Sequence, residues 1–529
     1  MSVPDKRKGY SSSHRRGIYY VLALFLLIYA LLLIRDIGHN SLVWDEAVIA
    51  QSGVDLVRLY PSLLVDPHRT INTYVRWFPY FPPLMSIVLS LAYAIFGISE
   101  IVARSVSVCF SLLGLITTFL LGREAFDEPT GIASVLLLSV MPIYWHMSRV
   151  AMLDVASIFF FALTLHLYYK GLSTNRMELL LLAGFPLGLG LLTKYPNILC
   201  VPIIFIPLIL GFFGRKKVDW RPVVCLLLAL EIAFFIFVPW FYKTTMVSQS
   251  WRGWIHEIQP GKQYKWLMAE YWIGSLNVPF LQMTLPLGIL ALLAVIYSLK
   301  QRSKADIFLL SWVAVVFLWF VPIHKDLRYT MPYLPALAIL SGRLVSHTSV
   351  KLVEQYAGVL KRFSGERLKV ATCVTLILVL LMTSPVLYSL ATQPKGLQVP
   401  ITEAFSYIVE NMGTDGNVLV LLSCNNLSQH ASYFYMYMVA GLDASIHILI
   451  YPSSSVDWYD PGPLNTTRIA QLCIEKNIQY VILWDGSPYS ESWLPVLVDS
   501  NLFILKRIVG SRGNAIFILN FQSSAFNIS

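Results

Sequence analysis

The sequence predicts an α-helical polytopic membrane protein with a C-terminal soluble α/β domain, and three observations carry that reading. The 529 residues are 56% hydrophobic and only 13% charged, with a mean hydropathy of +0.62, which is the composition of a chain with many membrane spans. Apolar runs of spanning length recur as far as residue 390 and then stop. Charge divides at the same place: residues 391–529 hold 6 Lys+Arg and 10 Asp+Glu, a balance of −4, leaving +14 on residues 1–390. The basic excess sits in short loops between apolar runs, so it reads as a topology signal and not as a nucleic-acid footprint.

The elements follow in order. Residues 1–17 hold Lys6, Arg7, Lys8, Arg15 and Arg16, a positive flank that keeps the N-terminus cytoplasmic. Ile18–Ile34 is the first span, close to the minimum length for a hydrocarbon core of about 30 Å. No small-residue cleavage site follows it, so it does not read as a cleaved signal. Residues 35–99 then form the first external loop. Within it, Pro83–Gly97 is apolar but short and opens on Pro82-Pro83, so it is expected to be interfacial or re-entrant. Ten further spans are expected: Glu100–Leu121, Thr130–His146, Val155–Tyr169, Glu178–Thr193, Pro196–Phe213, Pro222–Trp240, Leu276–Leu299, Ala305–Val321, Tyr329–Val345 and Val370–Leu390. That gives about eleven transmembrane helices over residues 18–390, with the tail outside.

Loop charge tests this parity. Lys170 and Arg176, then Arg215, Lys216, Lys217 and Arg221, then Lys300, Arg302 and Lys304, and finally the six basic residues of 343–369 all fall inside. A spanning Pro83–Gly97 would put every one of them outside, against the positive-inside bias. Of the six cysteines, Cys109, Cys200, Cys225 and Cys373 read as small core residues, and only the pairing of Cys424 with Cys473 in the tail is left open.

Residues 391–529 read as an external α/β domain. Thr402–Met412 and Thr466–Lys476 have helical patterns, while Val418–Ser423, Ile446–Tyr451, Tyr480–Leu483, Phe503–Ile508 and Ala515–Asn520 read as strands. No nucleophile elbow, metal cluster or phosphate loop is visible there. Sequons at Asn426, Asn465 and Asn527 fit an external tail. Trp484-Asp485-Gly486 shares part of the WWDYG signature of oligosaccharyltransferases, but a strand ending in a turn explains it. Glu231 lies mid-span, where one isolated acid is usually paired by a neighbouring helix.

The eleven-span parity collects the remaining chemistry on the outward face. Asp45-Glu46, Ser148-Arg149 with Asp154, Lys194-Tyr195, the loop 241–275, and Lys325 with Arg328-Tyr329 come from separate segments but share one membrane surface. Adjacent carboxylates at a low-dielectric edge are costly to keep ionised unless something uses them. Singly, each basic residue reads as a helix-end anchor with a snorkelling charge. As a set, they can bind an anionic headgroup while leaving a carboxylate free for proton transfer.

Trp44-Asp45-Glu46, Phe81-Pro82-Pro83-Leu84, Phe96-Gly97 with Arg104, and Ser148-Arg149…Leu153-Asp154 appear in that order. They are followed by Leu192-Thr193-Lys194-Tyr195-Pro196, Pro239-Trp240, and Arg328-Tyr329-Thr330-Met331-Pro332-Tyr333-Leu334-Pro335. The series, over about residues 18–345, resembles the dolichyl-phosphate-mannose–protein mannosyltransferase family and its relative, the lipid A aminoarabinose transferase, of the GT-C membrane fold. The resemblance implies an inverting transfer of a single sugar, hexosyl or mannosyl, from a polyprenyl (dolichyl or undecaprenyl) phosphate carrier. The acceptor would be a protein, a glycolipid or a lipid-linked glycan outside the membrane. It implies that Asp45 acts as general base or positions the acceptor, with Glu46 and Asp154 as the further catalytic carboxylates. Arg149, Lys194, Tyr195, Lys325, Arg328 and Tyr329 are the expected carrier-phosphate site. The expected location is the plasma membrane of a prokaryote rather than the endoplasmic reticulum.

Two departures bear on the chemistry. Val48 and Ile49 stand where some relatives carry Arg-Tyr, and Phe81-Pro82 stands where the aminoarabinose enzymes place an acid and a lysine. The second removes a candidate metal ligand. No cofactor is certain; for a divalent metal the weak candidates are His256, Glu257 and Glu270 in the loop 241–275. The rival readings are an oligosaccharyltransferase moving a whole glycan and a membrane transporter. Against the transporter stand the absence of an internal hydropathy repeat and the placing of polar residues at one face instead of mid-membrane.

Overall fold

The computed structural model describes residues 12–77, 81–212, 220–248, 276–320, 327–355, 399–421, 427–451, 464–486, 490–511 and 514–523, with a few positions between 383 and 392. The chain divides into two compact units. The first comprises Met1–Arg35, Val75–Met85 and Ser107–Gln393; the second comprises Asp36–Tyr74, Ser86–Val106 and Pro394–Ser529.

The helices of residues 12–355 are α1 (Ser12–Ile34), α2 (Trp44–Val65), α3 (Pro67–Trp77), α4 (Leu84–Phe96), α5 (Glu100–Ala125), α6 (Glu128–Ser139), α7 (Pro142–Ser148), α8 (Asp154–Thr174), α9 (Met177–Leu182), α10 (Gly184–Leu191), α11 (Cys200–Phe212), α12 (Arg221–Ser248), α13 (Val278–Gln282), α14 (Leu285–Gln301), α15 (Lys304–Phe320) and α16 (Leu334–Gln355). Short 3-10 turns at Tyr195–Leu199 and Leu327–Tyr333 interrupt them. Among the described residues, Trp44–Val65, Glu100–Ala125, Asp154–Thr174 and Arg221–Met246 are long and apolar enough to cross a membrane. Further apolar helices are shorter, among them Tyr19–Ile34, Leu84–Phe96 and Leu285–Gln301. The protein is an integral membrane protein. The last expected span, Val370–Leu390, lies almost wholly outside the described residues.

Two expectations from the sequence need correction. The stretch Thr130–His146 is not one straight span: α6 and α7 meet at a 72° bend. Pro142 occupies the start of α7, and Met141 before it is extended (φ −65°, ψ 121°), as a residue preceding proline must be. The stretch before Pro83, read as part of an external loop, contains the long helix α2 followed by α3. Its opening turn is acidic and Pro61 lies within it, which masked the helical pattern.

In the first unit, α16 packs along α6 at small residues. A Cβ on Gly342 would come within 2.9 Å of the Thr130 carbonyl oxygen and the Ser134 amide nitrogen, so glycine is what lets these backbones approach. Asp127 caps α6 by accepting the Thr130 amide at 2.8 Å. Next to Gly342, Arg343 pairs with the buried Asp306, which also accepts from the Ser303 amide at 2.9 Å.

In the second unit, residues 399–523 fold as α17 (Ile401–Met412), β1 (Asp415–Leu421), α18 (Gln429–Ala440), β2 (Ser445–Tyr451), α19 (Thr466–Glu475), β3 (Ile478–Trp484), α20 (Ser490–Asp499), β4 (Phe503–Val509) and β5 (Ile516–Phe521). The sheet order is β2-β1-β3-β5-β4. β1 runs parallel to β2 and β3, while β5 is antiparallel to both β3 and β4. The central strands are continuous apolar runs, Val418–Leu421 and Tyr480–Trp484, because helices cover both faces. Leu419, Val481, Leu483, Trp493, Phe503 and Leu519 fill one side of the sheet. Cys473 is a free thiol in this core, pushed up to about 12 by burial; Cys424 lies outside the described residues.

Helices α18 and α20 were not legible as such. Ala431, Ser432 and Phe434–Tyr437 of α18 are all buried, so the segment shows no amphipathic stripe. The readable signals were its ends: Ser428 caps the helix through the Ala431 amide, and Gly441 with φ 86° ends it.

Candidate active site

The acidic pair is divided by its own local structure. Trp44, Asp45 and Glu46 form the first turn of α2, where the helix dipole favours negative charge. Glu46 is buried and taken up by Arg104. The guanidinium Nε donates to Oε1 at 2.7 Å and Nη2 donates to Oε2 at 2.9 Å, a bidentate fork with both side chains 4% exposed. The remaining Arg104 donors reach three carbonyls of the preceding chain: Nη1 to Ile37 and Asn40, each at 2.7 Å, and Nη2 to Ser41 at 3.4 Å. All five guanidinium N–H groups are therefore used. Arg104 closes residues 37–46 into a fixed hook with the carboxylates at its tip.

Asp45 is half-buried, next to Glu46 but outside the bidentate fork. Trp44, directly before it, has φ 47°. A bulky residue in that left-handed region carries strain of about 1–3 kcal/mol, and such strain persists only where the surroundings over-determine it. The indole itself is 58% exposed. Strain is thus concentrated in the peptide that aims Asp45.

A second cluster lies wholly in the first unit. Asp154 opens α8 and accepts from Lys194 Nζ at 2.7 Å; the carboxylate is 3% exposed and the lysine 17%. Lys194 Nζ also stands 4.6 Å from the centroid of the Tyr329 ring, and the Arg328 guanidinium lies 5.7 Å from the same ring. Four residues singled out in the sequence, Asp154, Lys194, Arg328 and Tyr329, are brought together. Each is placed by a turn. Lys194 follows the end of α10, where the amides of Thr193 and Lys194 both donate to Gly190. Asn197 then donates to the Lys194 carbonyl at 3.0 Å and to Ser157 Oγ of α8 at 2.7 Å. Gly190 permits this, since a Cβ there would lie 2.6 Å from Asn197 Oδ1.

The turn carrying Arg328 and Tyr329 is held by Gln282, which sequence reasoning missed. Gln282 Nε2 donates to the Leu327 carbonyl and to Thr330 Oγ1, and Tyr333 Oη donates to Gln282 Oε1. Trp312 Nε1 donates to the Pro332 carbonyl at 2.9 Å.

Other expected site residues fare differently. Arg149 Nη2 donates to the Arg35 carbonyl at 2.6 Å, and its guanidinium lies 5.8 Å from the Trp145 ring, so it ties α7 to the end of α1. Tyr195 packs edge-on against Phe237. Glu231 is exposed on α12. Asp485-Gly486 is the turn after β3, as expected. Lys325, His256, Glu257 and Glu270 lie outside the described residues. Among the described residues, no three His, Cys, Asp or Glu side chains converge as a metal site.

The fold is that of the GT-C membrane glycosyltransferases. Residues 81–242 match the model of the family described as dolichyl-phosphate-mannose-protein mannosyltransferase. The chain superposes on ArnT from Cupriavidus metallidurans bound to undecaprenyl phosphate with TM-score 0.62 at 15% identity, over 96% of this chain and 99% of that one. On the archaeal oligosaccharyltransferase AglB from Archaeoglobus fulgidus, in complex with an inhibitory peptide and a dolichol-phosphate, the TM-score is 0.58 at 14% identity, over 97% and 75% of the two chains. An uncharacterized protein of Aquifex aeolicus (strain VF5) is 25% identical over 342 residues, which is 63% of this chain and 65% of that relative's length.

Proposed function

We propose that this protein is an integral-membrane glycosyltransferase that moves a single sugar from a polyprenyl-phosphate carrier to an acceptor at the external face, with inversion. The observation that carries the reading is the division of labour in the acidic pair: Glu46 is locked into Arg104, and Asp45 is held beside it at a strained helix start. Asp45 is the general base. It takes the proton from the acceptor's nucleophilic group as that group bonds to the sugar's anomeric carbon, and the carbon–oxygen bond to the carrier phosphate breaks on the opposite side. Lys194 and Arg328, beside Tyr329, bind the phosphate and neutralise the charge that develops as it leaves. Asp154 holds the Lys194 ammonium in place until then. Glu46 positions Asp45 and does not itself move a proton. The match to nearly the whole of the ArnT chain, but to three quarters of the oligosaccharyltransferase, supports transfer of one sugar over a whole glycan.

The test is Asp45→Asn, which is nearly isosteric but cannot accept a proton. General-base assistance is worth about 10²–10⁴-fold, so single-turnover transfer should fall by that factor while carrier binding survives. Near-normal transfer would remove Asp45 from the chemistry and move the search to Asp154. The mass of the wild-type product separates the alternatives: one sugar unit supports the proposal, a whole glycan means en bloc transfer, and solute flux without a product means a transporter.

A further inference from the structure

The second unit joins the segments that flank Asp45 to the C-terminal α/β fold by directed hydrogen bonds. The Leu42 amide donates to Tyr435 Oη of α18 at 2.9 Å. One residue earlier, Ser41 Oγ donates to the Val399 carbonyl at 3.0 Å and accepts from the Val399 amide at 2.9 Å. Ser41, Leu42, Val399 and Tyr435 are all buried. These contacts fall between the carbonyls gripped by Arg104 and the strained Trp44, so the chain entering α2 is fixed from two sides.

Farther along, Arg58 of α2 donates to the Leu442 carbonyl at 3.1 Å and stacks on Tyr437, 4.2 Å from the ring centroid. Tyr93 of α4 packs on Phe434. Burial, with Glu100 nearby, holds the Tyr435 hydroxyl well above its ordinary range, so it stays protonated and neutral. A rigid, uncharged acceptor for one backbone amide is what a positioning element needs.

We propose that the C-terminal domain is a working part of the active site: Tyr435, with the Ser41–Val399 exchange, is a positioning clamp that fixes the backbone ahead of Trp44 and thereby aims Asp45. This rests on the reading of Asp45 as the base. Without the clamp the left-handed turn at Trp44 relaxes, and Asp45 drifts from the acceptor. A displacement of about 1 Å at a reacting group can cost on the order of 10²-fold in rate.

The experiment uses the full-length protein in liposomes. Its probe is the lipid extract of a strain deleted for this gene, in which unused donor accumulates, with acceptor supplied by membranes of the same strain. Tyr435→Phe keeps the ring and removes only the accepting oxygen; Ser41→Ala removes the second bond and stands in should the first variant fold poorly. Each should lower the saturated transfer rate about 10-fold with the half-saturating amount of extract unchanged, and hydrogen exchange at Leu42 should rise. In an Asp45→Glu background, where the carboxylate is already displaced, the same substitutions should cost less than about twofold, because contacts acting through one residue are not additive.

Wild-type saturated rates for both variants, beside an inactive Asp45→Asn, overturn the clamp and leave the base reading standing. Full transfer by Asp45→Asn overturns both. An equal loss in the wild-type and Asp45→Glu backgrounds also overturns the clamp, since Tyr435 and Ser41 would then act elsewhere.

Discussion

Removing the Arg104 guanidinium tests how far the hook of residues 37–46 depends on one side chain. In Arg104→Met, Glu46 stays buried without its partner, and breaking a buried pair in this way costs about 3–5 kcal/mol. The carbonyls of Ile37, Asn40 and Ser41 lose their donor as well. At 1.4 kcal/mol per factor of ten, the local opening constant should rise on the order of 10²–10⁴-fold, up to the ceiling set by global unfolding. The assay is native-state hydrogen exchange of the purified protein, followed on peptides covering residues 37–47, with the C-terminal sheet as internal control. Arg104→Lys keeps the charge but supplies three donors for five acceptor contacts. It should fall between wild type and Arg104→Met. Adding Glu46→Met to Arg104→Met removes the buried charge and should recover part of the protection, leaving the three carbonyls as the residual loss. Wild-type exchange over residues 37–47 in Arg104→Met would refute the reasoning, because the loop would then be held by something other than the guanidinium.

Three further outcomes are expected. Lys194→Ala should destabilise the first unit by about 3–5 kcal/mol through the unpaired Asp154; adding Asp154→Asn should restore folding but not donor use, and a return of donor use would make Lys194 purely structural. Gln282→Leu should loosen the turn Leu327–Tyr333, at about 1–3 kcal/mol for the buried groups left without partners, and raise the half-saturating donor level with little change in saturated rate; an unchanged half-saturation would separate Gln282 from Arg328. His430 in α18 is held below its ordinary value of 6.5 by burial, so below about pH 6.5 the unfolded chain takes a proton that the folded chain refuses. Stability should therefore fall as pH drops through 6.5 towards the lowered value, and His430→Gln should flatten the difference in denaturation midpoint between pH 7.5 and 5.5.

Much of this protein was legible in the sequence because a bilayer imposes a coarse and strict grammar. Hydropathy set the helical membrane region, and the switch to short apolar runs after residue 390 announced the α/β tail. Short apolar runs with strand patterning placed the five strands to within a few residues. The ordered motifs around Asp45, Asp154, Lys194 and Arg328 named the fold and nominated residues, three of which, with Tyr329, do cluster. Sequence could nominate them because charged residues at helix ends near a membrane are costly and few.

What the sequence could not decide was which charges answer one another. Asp45 and Glu46 are chemically near-equal neighbours, and the arrival of Arg104, 58 positions after Glu46, separates their surroundings. Lys194 meets Asp154 across 40 positions, and Gln282 reaches its turn across 45 to 51. The bond from Leu42 to Tyr435 spans 393, and no local pattern encodes it. Tyr435 lies in a helix buried nearly all round, where amphipathic periodicity vanishes and with it the helix signal. Propensity and hydropathy act over a few turns of chain, whereas hydrogen bonds and ion pairs are fixed by three-dimensional approach. The sequence therefore determined the scaffold and its candidate charges, and tertiary contacts alone decided that Glu46 is the carboxylate held by Arg104 and that Asp154 is the one held by Lys194.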